Sequence, residues 1–296
     1  LFLNQDEFSN DREATFRALI SDKSGNSTIS QISNSTIYID TLSVSLINIH
    51  IESNNIDTTR AKVGDSLKIT FTTSESLDSI SIEVFENSCI NQSEDNNWIS
   101  FYEFQDSDEE GNTTFNIFAE DLAGNISSNN SETSDSSFVL FDKTKPNLNS
   151  VSFYSSNETN QELAIVGDTL FLDIESNEPL LDINIYISEE GDVYNPADTI
   201  INDISNDNFY KSWRILNGNE EEGYINFKIN VTDLSGNIGD TISITTDGSS
   251  ILYDRTPPID FIIENLLTNN GNQVEGYWNS TNENLIFSIL IPDDNT

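Results

Sequence analysis

The chain has 296 residues and a net charge of −39, from 51 acidic and 12 basic side chains. Nucleic acids and anionic membranes are polyanions that recruit Lys and Arg, so this charge argues against both as partners and favours divalent cations or basic ligands. Cys89 and His50 are the only residues of their kinds, which excludes an internal disulfide and leaves no zinc site or catalytic triad, so we expect no enzyme. No apolar run reaches the roughly 20 residues that span a bilayer.

Apolar and polar residues alternate along most of the chain, and the alternating positions fall into two similar sets. The first set is Leu67, Ile69, Phe71, Ile80, Ile82, Val84, Phe115, Ile117, Ala119, Val139 and Phe141. The second is Leu170, Leu172, Ile174, Ile183, Ile185, Ile187, Ile225, Phe227 and Ile229. A spacing of two predicts half-buried antiparallel strands, and the absence of a 3.6-residue period predicts an all-β fold with almost no helix. His50 falls in the outward set of its strand and is expected to be solvated.

One motif, Asp-x-x-Gly-Asn, occurs at Asp22–Asn26, Asp121–Asn125 and Asp233–Asn237, and each copy precedes an apolar run that ends in Asp40, Asp142 or Asp254. A repeat of roughly 100 residues is the size of an immunoglobulin-like β-sandwich. The sequence therefore predicts tandem immunoglobulin-like modules in an extended rod. We expect residues 1–41 to be the C-terminal part of one module, 42–144 and 145–257 to be whole modules, and 258–296 to start a further, different module. The chain is then a segment of a longer protein.

The two whole modules align in blocks. Ala61–Asp65 matches Ala164–Asp168, and Trp98–Gly111 matches Tyr210–Gly223. The offset grows between the blocks, which predicts an insertion of about nine residues in the 189–203 loop of the later module, where it leaves the sheets intact. Proline-bearing segments follow Asp142 and Asp254, and they predict short, stiff joints between modules.

These blocks resemble the tandem Ig-like repeats of giant bacterial cell-surface and adhesin proteins, which are common in marine bacteria and Bacteroidota. The resemblance covers essentially the whole chain and is carried by Ala-x-Val-Gly-Asp-(Ser/Thr)-Leu, Asp-Leu-x-Gly-Asn and Phe/Tyr-Asp-x-Thr-x-Pro. Tyr277–Thr281 with Pro292–Asp294 is similar to the start of a different module type found beside such repeats. The resemblance implies an extracellular location on a bacterial cell surface, a role as stalk or adhesive array, and no catalysis.

The repeated motif has two interpretations. It fits a tight turn between the last two strands of a module, with the Asp carboxylate accepting amide hydrogens and the Gly at a positive φ. It also fits Ca²⁺, which takes six to eight oxygen ligands from carboxylates and carbonyls.

Sandwich topology places this turn, the turn after the second strand and the closing Asp of the preceding module at one pole. We therefore expect Asp40 to approach Glu75, Asp121 and Asn125, and Asp142 to approach Glu178, Asp233 and Asn237. Including Asp254, the candidate calcium ligands are Asp40, Glu75, Asp121, Asn125, Asp142, Glu178, Asp233, Asn237 and Asp254.

Other features favour simpler interpretations. The acidic loops 106–110 and 220–222 are interpreted as solvated charge runs, because paired carboxylates without a cleft do not make a glycosidase. Trp98, Trp213 and Trp278 do not recur in register, so core or sheet-face packing is favoured over sugar stacking. Asp-Ser/Thr-aliphatic triplets resemble an O-glycosylation motif of exported Bacteroidota proteins, and the resemblance implies glycans on Thr41, Ser66 or Thr169. Asp-Ser/Thr before a strand is also ordinary turn chemistry.

The function predicted from the sequence is a structural stalk or adhesive segment of a long extracellular repeat protein, stiffened by calcium at its junctions. Its partners are neighbouring repeats of the same chain, surface glycans or other copies of itself. Two alternatives stay open: an accessory carbohydrate-binding region of a secreted enzyme, which needs an exposed aromatic row on one module, and a subunit of a surface filament or lattice.

Overall fold

The computed structural model describes residues 12–14, 17–31, 37–127, 130–189, 193–196, 199–202, 208–258 and 260–289. Within these ranges every regular element is a β-strand, as the alternating pattern predicts. No helix of the described residues is long and apolar enough to cross a membrane. The segment Pro292–Asp294 and parts of the 189–203 loop lie outside the described residues.

The strands before residue 42 are short: β1 (Arg12–Ala14), β2 (Leu19–Ser21), β3 (Ser27–Ile29) and β4 (Ile37–Ile39). The second module, residues 42–144, contains β5 (Leu46–Ser53), β6 (Arg60–Ala61), β7 (Ser66–Thr73), β8 (Leu77–Val84), β9 (Asn87–Ser88), β10 (Ile90–Glu94), β11 (Asn97–Glu103), β12 (Gly111–Asn112), β13 (Phe115–Asp121) and β14 (Leu140–Phe141).

The third module, residues 145–257, contains β15 (Leu148–Ser155), β16 (Leu163–Ala164), β17 (Thr169–Ser176), β18 (Leu180–Glu189), β19 (Val193–Pro196), β20 (Thr199–Asn202), β21 (Phe209–Ile215), β22 (Gly223–Tyr224), β23 (Phe227–Asp233) and β24 (Leu252–Tyr253). Two further strands, β25 (Ile263–Asn269) and β26 (Asn284–Ile289), form a hairpin.

The second and third modules share one sheet topology. Each has a four-stranded sheet, in the order β10-β11-β7-β5 or β20-β21-β17-β15, facing a three-stranded sheet, β13-β8-β9 or β23-β18-β19. A third small sheet, β12-β14-β6 or β22-β24-β16, contains the parallel pair of each module. β19 has four residues where β9 has two, β20 has four where β10 has five, and the sheet order is the same in both modules.

Each module has its own hydrophobic core. One cluster of buried side chains runs from Ile49 to Phe141 and another from Leu148 to Tyr253. The burial pattern of β7 alternates at every residue, and β17 does the same over most of its length. Such alternation follows from side chains that point to opposite faces of a strand, and each fully buried Leu, Ile or Phe stabilises the sandwich by roughly 1.5–3 kcal/mol.

Candidate inter-module cation site

All three copies of the repeated motif form the same turn. In each copy the Asp Oδ1 atom accepts hydrogen bonds from two backbone amides, two and four residues later, at 2.8 and 2.9 Å. The Asp Oδ2 atom accepts the side-chain amide of the motif Asn at 2.9–3.0 Å. The glycine has a φ of 88–90°, a conformation that residues with a Cβ rarely adopt. The predicted turn is therefore confirmed at Asp22, Asp121 and Asp233.

The structure brings three acids together at each of two junctions. Carboxylate oxygens of Asp40, Glu75 and Asp121 lie within 4.8 Å of one another. Those of Asp142, Glu178 and Asp233 do the same one module later. In both groups the motif Asp is buried and the other two acids are half-buried.

Local structure positions every member of these groups. Asp121 and Asp233 are the last residues of β13 and β23. Glu75 lies in the turn between β7 and β8, where Thr73 Oγ1 donates to its backbone carbonyl at 2.8 Å. In the third module Ser176 Oγ donates to the carbonyl of Glu178 in the same way. The two glutamates thus have equivalent, fixed backbones.

The motif asparagine ties the incoming chain to the turn. Asn125 Nδ2 donates to the carbonyl of Asp40 at 3.3 Å, and Asn237 Nδ2 donates to the carbonyl of Asp142 at 3.0 Å. Both asparagines were candidate ligands, and the structure places them as hydrogen-bond donors that hold the aspartates in position.

The grouped carboxylates repel one another at the later junction. Burial, followed by the negative charge of Asp233, raises the pKa of Asp142 above its ordinary value. Burial and then the charges of Asp142 and Asp233 likewise raise the pKa of Glu178. At the earlier junction burial would raise the pKa of Asp121, but hydrogen bonds from Asn125 and the turn amides outweigh it and lower that pKa overall. A bound divalent cation would relieve the repulsion.

A second set of contacts crosses the later junction, and its acceptors are backbone carbonyls instead of carboxylates. Lys62 Nζ, from the second module, donates to the carbonyl of Gly236 at 2.8 Å, and Asn55 Nδ2 donates to the carbonyl of Ser235 at 2.8 Å. We call these two contacts the polar latch. Ser235 Oγ also donates to Asp142 Oδ2 at 3.3 Å. Sequence reasoning missed the latch, although Lys62 stands where the third module has Ile165.

The chain leaving each module is fixed to that module's acidic loop. Glu110 Oε1 accepts the amides of Lys143 and Thr144 and the Thr144 hydroxyl at 2.7–2.8 Å. Glu222 Oε1 accepts the amide of Arg255 and the hydroxyl of Thr256 at the corresponding place. These bonds hold the first linker residues in one direction, so the joints begin in a defined orientation.

The acidic loops are not uniformly solvated, which corrects the prediction from the sequence. Asp108 is 4% exposed and Glu220 is 1% exposed. Asp108 accepts the Tyr102 hydroxyl at 2.8 Å, and burial together with this carboxylate raises the pKa of Tyr102 to about 12. In the third module Arg214 replaces the Tyr, and its Nε lies 3.7 Å from Glu220 Oε1. One acid of each run points inward because a buried partner neutralises or hydrogen-bonds it.

The remaining candidate residues stay apart. Asp254 is exposed and accepts the Thr256 amide at 2.8 Å, and no group of acids among the described residues includes it. Thr41 is exposed, whereas Ser66 and Thr169 are half-buried at the first positions of β7 and β17. The structure does not test glycans at any of these hydroxyls.

The aromatic and histidine predictions have mixed outcomes. His50 is half-exposed, as expected for an outward strand position, and its Nδ1 lies 2.6 Å from Asp135 Oδ2. Trp98 packs against the core of the second module, with its ring stacked on Phe71 at a centroid distance of 6.2 Å. Trp213 lies on the outer face of the third module, and Trp278 is exposed.

No protein-family model matches the chain, and no curated protein matches it. Among solved structures it is similar to fibronectin(III)-like modules of Clostridium thermocellum CbhA, at 10% identity and a TM-score of 0.29 over 72% of this chain and 94% of that one. It is similar to the titin domains z1z2, solved with telethonin, at 10% identity and a TM-score of 0.26 over 74% and 98%. It is also similar to SGBP-B of Bacteroides ovatus, solved with a mixed-linkage heptasaccharide, at 12% identity and 0.20 over 90% and 58%. The β-sandwich fold of this chain is established by its own sheet pairing.

Proposed function

We propose that this chain is a structural stalk or adhesive segment of a long extracellular repeat protein on a bacterial cell surface, and that Ca²⁺ stiffens its module junctions. The role is mechanical: fixed joints keep the modules in line and hold a distal element away from the cell. The proposal assigns no catalytic step to the chain.

One observation carries the proposal. The same three acids meet at two successive junctions, and in both the closing Asp of one module is held by the motif Asn of the next. A chance cluster of surface acids has no reason to recur with the same members. Because the acids recur at the joints, we infer that they help to fix one module relative to the next.

Calcium is the cation that this donor set suits. Three carboxylates supply hard oxygen atoms in a chain whose net charge is −39, whereas sites for zinc usually contain Cys or His. Few protein ligands and partial exposure suit the weak sites of extracellular modules, with dissociation constants on the order of 10⁻⁴–10⁻³ M. On this proposal the sites fill only where calcium is abundant, as it is outside cells.

The test is small-angle X-ray scattering of the full chain in calcium and in chelator. Calcium should lengthen or straighten the particle, and chelator should shorten or bend it. A variant with Glu75→Gln and Glu178→Gln should scatter alike in both media. If the wild-type profile is the same with and without calcium, the stiffening mechanism is wrong, and a profile of compact, collapsed modules in both media would remove the stalk as well.

Two alternative functions can each be tested by a separate observation. A lattice or filament subunit would place copies side by side, and imaging of native cell surfaces would show it. An accessory carbohydrate-binding region requires aromatic rings on one outer face, a feature that the third module provides.

A further inference from the structure

Three aromatic side chains form a row across the outer face of the third module. Tyr154 on β15 lies directly opposite Phe171 on β17, and Phe171 lies directly opposite Trp213 on β21. All three are half-buried and alternate with buried neighbours, so they face away from the core. We refer to these three residues as the aromatic row.

Polar groups lie beside the aromatic row. In the next register position Asp173 is opposite Lys211, whose Nζ lies 3.1 Å from Asp173 Oδ1 and 2.7 Å from the Tyr154 hydroxyl. The same Nζ lies 5.5 and 5.4 Å from the ring centroids of Tyr154 and Phe171, which stack at 5.3 Å. Rings, a carboxylate, an ammonium and a hydroxyl therefore share one patch.

The second module shows that the fold does not require this patch. At the three equivalent register positions it has Glu52, Lys68 and Phe101. Glu52 and Lys68 form an ion pair of 2.9 Å, which is common on the solvated outer face of a sheet. Of the two whole modules only the third has the aromatic row, so its explanation has to be local to that module.

The chemistry of the patch selects a neutral, hydroxyl-rich ligand. Sugar rings present apolar C–H surface that packs on aromatic rings, and hydroxyls at their rims that bond to carboxylates, ammonium groups and phenols. Lys211 and Asp173 form an ion pair, so neither is free to attract an ion, and the exposed Glu175 further along the same face of β17 would repel a polyanion. A second copy of the chain carries the same net charge of −39 and would be repelled.

We propose that the aromatic row, with Lys211 and Asp173 beside it, is a binding face for neutral polysaccharides. This goes beyond the mechanical role, because it gives one module of the array a ligand of its own. The ligand would lie across β15, β17 and β21, and the second module, which has Glu52 and Lys68 at the equivalent positions, would not share it.

The test is affinity electrophoresis of the full chain in gels that contain one soluble polysaccharide. The probes are a mixed-linkage β-glucan, a xylan and a galactomannan, with alginate as a polyanionic control. We expect retardation by at least one neutral polymer and none by alginate. Trp213→Ala and Phe171→Ala should each weaken binding at least ten-fold, whereas Phe101→Ala in the second module should leave it unchanged.

A second variant keeps the test decisive if an alanine variant fails to fold. Glu52→Tyr, Lys68→Phe and Phe101→Trp together transfer the row to the second module, and the product should retard more strongly than the wild type. The proposal is overturned if no neutral polymer retards the wild type, or if Trp213→Ala, folded by circular dichroism, is retarded as the wild type is. The scattering test needs no glycan, so the two proposals fail separately.

Discussion

Neutralising Glu178 should have opposite effects with and without calcium. Glu178 is grouped with Asp142 and Asp233, and the carboxylate oxygens of the group lie within 4.8 Å of one another. At that distance each pair of unit charges repels by roughly 3.5 kcal/mol at an effective dielectric constant of about 20. Glu178 and Asp142 are half-buried, so solvent screens part of this repulsion. Glu178→Gln should therefore raise the free energy of unfolding in chelator by about 1–3 kcal/mol.

In calcium the same substitution should be unfavourable. A cation that binds only the folded protein stabilises it by about 2.7 kcal/mol at 100 times its dissociation constant. Removing a charged ligand weakens that binding, so most of the calcium-dependent stabilisation of the third module should disappear. The sign of the effect therefore reverses between the two media, which a merely structural role of Glu178 would not produce.

The assay is urea unfolding followed by the fluorescence of Trp213. With Trp98 and Trp278 replaced by Phe, this side chain reports on the third module alone, which avoids fitting several modules to one transition. Glu175→Gln is the matched control, because this exposed carboxylate lies on β17 outside the group. Equal effects of Glu178→Gln in both media, or effects equal to those of the control, would refute the reasoning.

Three further predictions concern the core and the joint. Arg214→Met leaves Glu220 buried without its cation and should destabilise the third module by about 3–5 kcal/mol in urea unfolding, whereas Arg214→Tyr with Glu220→Asp, the pair of the second module, should restore most of the loss. The raised pKa of Tyr102 favours the neutral phenol in the folded state. The free energy of unfolding should therefore be unaffected below pH 10 and fall by about 2–3 kcal/mol as the pH rises to about 12. In the Tyr102→Phe variant, which has no phenol to ionise, the free energy of unfolding should fall less over the same pH range. Lys62→Met removes half of the polar latch and should broaden distances between spin labels on the second and third modules in chelator, measured in a Cys89→Ser background, while calcium should narrow them again.

The sequence was most informative where a feature repeats or alternates. The alternating residues of β7 and β17 predicted strands and their buried faces, because side-chain direction in a strand has a fixed period of two. The recurrence of Asp121 and Asp233 one module apart predicted which acids meet, because equivalent residues of one topology occupy equivalent places. Both inferences depend only on local backbone geometry and on its repetition in equivalent modules.

Features that depend on pairs of distant residues were missed. A run of charges does not reveal which carboxylate turns inward, and only the joint change from Tyr102 with Asp108 to Arg214 with Glu220 marks the buried pair. The aligned blocks contained this signal, since both residues change type together at a constant offset. The aromatic row was hidden for another reason: its members come from three strands, and strand register decides that they are adjacent.

We expect the later junction to depend less on a cation than its three carboxylates alone would require, because single residues add bonds across it. At the later junction Lys62 and Asn55 bond to backbone carbonyls of the motif turn, and Ser235 adds a bond to Asp142. At the earlier junction Ala123 stands in place of Ser235 and has no hydroxyl to offer. Bonds to carbonyl oxygens persist in chelator, whereas repulsion among three carboxylates grows there. We therefore expect the joint at Asp142 to keep part of its order in chelator, and we expect Lys62→Met together with Ser235→Ala to remove that part.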